Sequence, residues 1–155
     1  MRIEILGLVV GLSLVPGGCM PQQAPMALRS VAAVQSAPFT PQNALSRVNA
    51  YRQSQGSPPV RLDPNLMQAA ASHSRNMQSA GTMSHDVGGS FASRISSSGV
   101  GRTAAVENIA AGQRSLDEVM ESWRRSSGHA ANLSNGSMTR MGIAVSGGYW
   151  TLIMA

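Results

Sequence analysis

The sequence is short of several residue types, and each shortage argues against a class of protein. Its 155 residues include one cysteine, no lysine and three histidines, and only 4% are aromatic. One cysteine cannot form a disulfide within the chain, so no disulfide framework stabilises the fold. All 12 basic residues are arginines, and they are scattered without the interleaved aromatic residues of a nucleic-acid-binding face. We therefore interpret the net charge of +5 as a solvated basic surface and expect no nucleic-acid partner.

The apolar run near the N-terminus is too short to span a membrane. It extends from Ile5 to Val15, whereas a transmembrane helix needs about 20 residues. A run of this length behind Arg2 is typical of a signal peptide. Cys19 follows two glycines, as in bacterial lipoproteins whose lipidated cysteine becomes the new N-terminus. We predict that residues 1–19 are a signal peptide with Cys19 as lipid anchor; the alternative is a plain secretory signal, and both place the protein outside the cytoplasm.

The rest of the chain is predicted to be a linker followed by one domain. Residues 20–38 mix proline, glutamine, alanine and serine without a period, which is typical of a flexible linker. Residues 39–155 are long enough for one hydrophobic core and too short for two. We expect this domain to be a monomer.

Three helices are predicted from their capping residues and apolar spacing. The first begins at Pro41, after the N-cap Thr40, and the third begins at the capping box Ser115–Glu118. The second begins at Pro64 and stops at Gly81. Its apolar stripe contains His73, which we interpret as a hydrogen-bonded core residue.

The remaining segments suggest a hairpin and a loop. Residues 141–145 and 149–155 alternate as two strands around the turn 146–148, and the second strand is expected to be central or well packed. Residues 86–104 are rich in glycine and serine and are predicted to form an irregular loop with at most one helical turn. A short turn of helix is expected over residues 129–133. Helices followed by a hairpin indicate an α+β domain.

A glutamate inside an apolar stretch points to a functional site. Glu107 lies within AVENIAAG, and the nearest charged residues in the sequence are Arg102 and Arg114. A buried carboxylate costs several kcal/mol unless it is paired, protonated or bound to a metal. The sequence around Glu107 leaves its partner open.

Only two histidines lie off the helical stripes, and both are next to small residues. They are His85 and His129, which with Glu107 supply two imidazoles and one carboxylate. Such a set could hold a divalent cation with an open position for water, or transfer protons without a metal. No HExxH motif fixes their geometry, so the spacing leaves both hypotheses open.

Four blocks of the sequence, in order, resemble the bacterial CAP superfamily. They read RVNAYRQSQGSPPVRLDPNLMQAAASHSRNMQSAGTMSH, VENIAAG, VMESWRRSSGHAANL and MGIAVSGGYWTLIMA, and they cover about residues 40–155. Relatives in this superfamily are the cysteine-rich secretory proteins, antigen 5 and plant pathogenesis-related proteins. The resemblance implies a three-layer α-β-α sandwich with a small antiparallel sheet and a cleft.

The resemblance also assigns roles to individual residues. It implies that His85, Glu107 and His129 line the cleft and that His85 and His129 bind a divalent cation, Zn²⁺ or another, weakly. Two positions depart from the family pattern: Val106 replaces a glycine, and Ser126 replaces a second glutamate found in animal relatives. The missing carboxylate puts a two-carboxylate acid–base mechanism in doubt.

Three functions follow from this resemblance. The leading one is an extracytoplasmic domain that binds a lipid or another small molecule in the cleft, without catalysis. The first alternative is a peptidase-like hydrolase in which Glu107 is the catalytic candidate. The second is an envelope interaction module whose cleft is inert. A serine hydrolase based on Ser127 is disfavoured because the chain has no GxSxG motif.

Overall fold

A computed structural model describes residues 39–101 and 104–155, so the predictions for the signal peptide, Cys19 and the linker lie outside the described residues. The described chain forms helices and strands in mixed order. They are α1 (Pro41–Ser54), β1 (Arg61–Leu62), α2 (Pro64–Ala80), α3 (Phe91–Ser97), β2 (Val106–Ala111), α4 (Leu116–Arg125), α5 (Ser127–Leu133), β3 (Arg140–Ser146) and β4 (Tyr149–Met154). Among these described helices, none is long and apolar enough to cross a membrane.

The strands form one sheet in the order β1-β3-β4-β2. The β3–β4 hairpin is antiparallel, and β2 adds antiparallel to the other side of β4. The two-residue strand β1 runs parallel to β3. The predicted hairpin and the central position of its second strand are therefore confirmed, and β2 forms an edge of the described sheet.

Helices cover both faces of the sheet, which confirms the predicted α-β-α layers. On one face, α2 packs against β3 and β4. On the other face, α1 contacts β3, α5 contacts β2, and α1, α4 and α5 pack on one another. Each face has its own apolar cluster: Trp123 and Trp150 lie in the cluster beneath α4, and Leu66, Ile95 and Ile153 lie in the cluster beneath α2 and α3.

A glycine lets α2 approach β3 unusually closely. A Cβ atom added to Gly142 would lie 2.1 Å from the backbone carbon of Leu66. No side chain fits at that distance, so the backbones of α2 and β3 pack directly together. This contact fixes the layer that carries His73 against the sheet.

The capping signals in the sequence correctly place the starts of the three predicted helices. Thr40 accepts a hydrogen bond from the Asn43 amide, and Asp63 accepts from the amides of Asn65 and Leu66. At α4, Ser115 accepts from the Glu118 amide, while the Glu118 carboxylate accepts from the Arg114 amide. These bonds satisfy amides that the first turn of a helix leaves without partners.

Three elements differ from the sequence prediction. Residues 91–97 form the helix α3, where we expected an irregular loop with at most one helical turn. The strands β1 and β2 were not predicted from the sequence. Because β2 contains Glu107 and Asn108 in its middle, its pattern lacks the alternation of a half-buried strand.

A buried arginine joins the end of α1 to the segment after α5. Arg52 is fully buried, and its guanidinium donates to the carbonyls of Pro58, Leu133, Asn135 and Met138 at 2.7–3.0 Å. Charged donors make stronger hydrogen bonds than neutral ones, and the carbonyl at the end of a helix favours a cation. Arg52 thereby holds the helical layer that carries His129.

Candidate functional site: a buried glutamate cluster

Two neighbouring polar side chains of the edge strand β2, Glu107 and Asn108, lie on opposite faces of the sheet. Glu107 is paired in register with Ile153 and points toward α2, whereas Asn108 is paired with Leu152 and points toward α5. Side chains alternate in this way along any strand. The two polar residues of VENIAAG therefore organise two different layers at one edge of the sheet.

Glu107 is paired with an arginine from α3. Its side chain is 1% exposed, and Arg94 Nη2 lies 2.8 Å from Oε1 and 2.7 Å from Oε2. The Arg94 side chain is itself only 9% exposed. This ion pair answers the question that the sequence left open, because a buried carboxylate needs a charged or hydrogen-bonding partner.

Arg94 also fixes the backbone of the turn that carries His85. Its Nη1 donates to the carbonyls of His85 and Gly89, each at 2.6 Å. The guanidinium carbon lies 5.7 Å from the centre of the Phe91 ring, within the range of a cation–π contact. The Arg94 side chain thus holds both the carboxylate of Glu107 and the turn that contains His85.

His85 lies directly against the carboxylate. Its Nδ1 is 2.8 Å from Glu107 Oε1, and its side chain is 51% exposed. A carboxylate can only accept hydrogen bonds, so Nδ1 carries the proton and donates it to Glu107. In the neutral ring this leaves Nε2 with a free lone pair, as in the carboxylate–histidine pairs that orient metal ligands and general bases.

His73 completes the cluster from the α2 side. Its ring is fully buried, with Nε2 3.8 Å from Glu107 Oε1, and neither ring nitrogen makes a hydrogen bond of good geometry to a described residue. The predicted core position is confirmed. Burial lowers the pKa of His73, and the nearby Glu107 carboxylate and Val87 backbone only partly oppose it.

We call Glu107, Arg94, His85 and His73 the glutamate cluster. His129 lies in α5, on the opposite face of the sheet. The side chains paired with Glu107 are those of His73, His85 and Arg94. Burial lowers the pKa of His129, and an electrostatic effect of His85 acts in the same direction.

Two asparagines hold α5 against this edge. Asn108 Nδ2 donates to the His129 carbonyl at 3.1 Å, and Asn132 Nδ2 donates to Asn108 Oδ1 at 2.9 Å. Asn132 also donates to the backbone carbonyl of Glu107 at 3.3 Å. Further along, the Trp123 indole donates to the Ile109 carbonyl, so side chains of α4 and α5 satisfy carbonyls of the edge strand.

Hydrogen bonds within the cluster limit which of its atoms could hold a cation. Among the described residues, no group of three or more histidine, cysteine, aspartate or glutamate side chains converges as a metal site. Both oxygens of Glu107 already accept from Arg94. If a cation binds here, His85 Nε2 and His129 would hold it, while Glu107 would orient His85 without touching the metal.

The sequence of this chain matches the model of a known family. A model of the CAP family, described as the cysteine-rich secretory protein family, matches residues 45–152. The chain belongs to the CAP family. This confirms the resemblance drawn from the four sequence blocks.

Relatives of this CAP domain include proteins of other bacteria. The uncharacterized protein YkwD of Bacillus subtilis (strain 168) is 36% identical over 107 residues, which is 66% of this chain and 42% of YkwD. An extracellular protein containing a SCP domain from Bacillus anthracis shares 27% identity and a TM-score of 0.70 over 77% of this chain and 44% of its own. The chain thus spans less than half the length of both relatives.

A third likeness concerns the fold alone. An outer surface protein of Borrelia burgdorferi has a TM-score of 0.67 at 18% identity, over 73% of this chain and 89% of its own. At this identity the likeness shows a shared arrangement of helices and sheet and carries no residue roles. The fold of this CAP domain therefore recurs at low sequence identity.

Breaking the buried ion pair should destabilise the protein strongly. In Arg94→Met, Glu107 loses its cationic partner while it stays buried, so we expect the free energy of unfolding to fall by about 3–5 kcal/mol. The double variant Arg94→Met, Glu107→Gln should recover part of this loss because no uncompensated charge remains. Urea denaturation near neutral pH measures both.

The control is Arg125→Met, which breaks an exposed pair with Glu121 whose side chains are 79% and 44% exposed. Exposed pairs contribute about 1 kcal/mol or less. If Arg94→Met destabilises the protein no more than Arg125→Met does, the stabilising role given to the buried Glu107–Arg94 ion pair is contradicted.

The buried histidine should make the protein sensitive to mild acid. The lowered pKa of His73 means that the unfolded chain binds a proton more readily than the folded one. Stability should therefore fall as the pH drops below about 6.5, by up to about 1.4 kcal/mol per pH unit for one proton. Urea midpoints measured across this range should move less in His73→Met than in the wild type; identical slopes would contradict the assignment.

Proposed function

We propose that this protein is an extracytoplasmic binding domain whose cleft lies at the β2 edge between His85 and His129. The observation that carries the proposal is the hydrogen bond from His85 Nδ1 to Glu107, at 2.8 Å, which leaves Nε2 of the neutral ring free. The imidazole of His85 is half exposed and is held by a buried carboxylate, so its Nε2 can bind a ligand from solution. The ligand class is a lipid or another small molecule, with or without a cation.

The location outside the cytoplasm is supported by one relative and by the predicted signal peptide. The Bacillus anthracis relative is an extracellular protein. Within this proposal, Cys19 anchors the domain to a membrane if it is lipidated, and otherwise the domain is secreted. The domain acts as a monomer and has no nucleic-acid partner.

In the cation-bound form, His85 and His129 are the two protein ligands, and water or ligand atoms fill the remaining positions. Two imidazoles bind Zn²⁺ weakly, since structural zinc sites use four protein ligands. Glu107 acts through its hydrogen bond to His85, which fixes the tautomer and the orientation of the ring. Arg94 keeps Glu107 in place and occupies its oxygens, so the carboxylate is a positioning group in this arrangement.

The same geometry favours one catalytic alternative. His85, with Nδ1 held by a carboxylate, could act through Nε2 as a general base on a bound water molecule, which would make the domain a hydrolase. Turnover of peptide, lipid or nucleic-acid substrates that is lost in both His85→Ala and Glu107→Gln would establish this alternative and overturn the binding-only proposal.

The cation arm of the proposal is tested by calorimetric titration with Zn²⁺. We expect weak Zn²⁺ binding by the wild type and loss of binding in the double variant His85→Ala, His129→Ala. In Glu107→Gln, we expect about 10–100-fold weaker binding because the His85 ring loses its orientation. Affinity should also fall as the pH drops toward about 6.5, where imidazoles protonate.

The matched control is Asp86→Asn, which removes the carboxylate next to His85 in the sequence and should leave Zn²⁺ affinity unchanged. Equal affinity in the wild type and the double histidine variant would mean that the cation binds elsewhere. Zn²⁺ binding lost in Asp86→Asn but kept in Glu107→Gln would contradict the role given to Glu107.

A further inference from the structure

One methionine in the turn between α2 and α3 is open to solvent. Met83 is 51% exposed, and it is the one large apolar residue of the described ranges that is mostly outside the core. It belongs to neither apolar cluster and precedes His85 by two residues. Its flexible thioether is therefore within reach of small solutes.

The other methionines of the described chain are protected by the fold. Met67 is partly buried, and its sulfur accepts a hydrogen bond from the Ile143 amide at 3.4 Å. The remaining five are 0–5% exposed: Met77, Met120, Met138, Met141 and Met154. In the part of the chain that the structure describes, the fold thus separates one accessible thioether from six protected ones.

An accessible thioether can be oxidised to a sulfoxide. The sulfur attacks one oxygen of hydrogen peroxide, and the S–O bond forms as the O–O bond breaks. The sulfur loses two electrons to the peroxide, whose other oxygen takes up the proton of the first and leaves as water. A sulfoxide in a core disrupts packing because it is polar, whereas a sulfoxide at an exposed position lies in water.

We infer that Met83 is a modification site, which peroxide oxidises to methionine sulfoxide while the other methionines of the described chain stay reduced. The product places a polar S=O group, an acceptor of hydrogen bonds, two residues from His85. Because Met83 lies outside both apolar clusters, the modified domain keeps its fold. The reaction needs neither a cation nor a ligand at the edge of β2, so it is independent of the proposed function.

The test is a titration of the native protein with hydrogen peroxide, followed by removal of the peroxide with catalase, tryptic digestion and mass spectrometry. Met77 and Met83 share the tryptic peptide from Asn76 to Arg94, so fragment spectra compare a buried and an exposed methionine of one peptide. We expect Met83 to gain the mass of one oxygen atom before Met77 or any other protected methionine does. In protein unfolded by urea, Met77 and Met83 should be oxidised at similar rates because no fold protects either.

Met83→Leu keeps an apolar side chain and removes the sulfur. Its residues 39–155 should gain no oxygen at peroxide concentrations that fully oxidise Met83 in the wild type. Met77→Leu is the matched control, a volume-conserving change in the core that should leave the oxidation of Met83 unchanged.

Circular dichroism measures whether the modified domain keeps its fold. The urea midpoint should be the same before and after the oxidation of Met83 alone, and a clear fall would contradict the exposed position given to its side chain. Oxidation of Met67 or Met77 in the native protein as early as that of Met83 would overturn the assignment of the site.

Discussion

The buried ion pair between Glu107 and Arg94 is the contact on which the arrangement of the site depends. Glu107 is a carboxylate in a strand that packs against apolar helices, and it can stay there only because a guanidinium meets it at 2.7 Å. Arg94 in turn binds the backbone of the turn that carries His85. The position of the histidine thus follows from the need to neutralise one buried charge.

The edge strand β2 connects this charge to the rest of the molecule. Its alternation places Glu107 in the α2 layer and Asn108 in the α5 layer, so one strand contributes a polar side chain to each layer. The hydrogen bonds of Asn108 and Asn132 hold α5 against β2. On the other face, Arg94 of the ion pair holds the turn before α3. Both contacts are hydrogen bonds to backbone carbonyls: Arg94 donates to the carbonyl of His85, and Asn108 donates to the carbonyl of His129.

The parts of the fold that sequence reasoning predicted are those with local signals. Thr40, Asp63 and Ser115 each cap a helix within three residues, so their effect is visible in a short window of sequence. The helix α3 was missed because only Ile95 in it is buried and the segment is rich in serine. The strand β2 was missed because it carries polar side chains that are buried only after folding brings partners to them.

The site was predicted in part for the same reason. Glu107 and His85 were named from the sequence, and Glu107 was recognised as needing a partner. Arg94 was not named, because its contact with Glu107 depends on α3, which was expected to be a loop. No local pattern in the sequence distinguishes Arg94 from the other arginines outside the predicted helices.

The most direct test of the account is the protonation of His85, measured by long-range ¹H–¹⁵N NMR of the histidine rings at a pH well above the ordinary imidazole pKa of about 6.5. The account predicts that Nδ1 carries the proton and Nε2 does not, and that Glu107→Gln weakens this preference because the amide can donate as well as accept. A wild-type His85 with its proton on Nε2 would contradict the account, since Glu107 would then not be holding the ring.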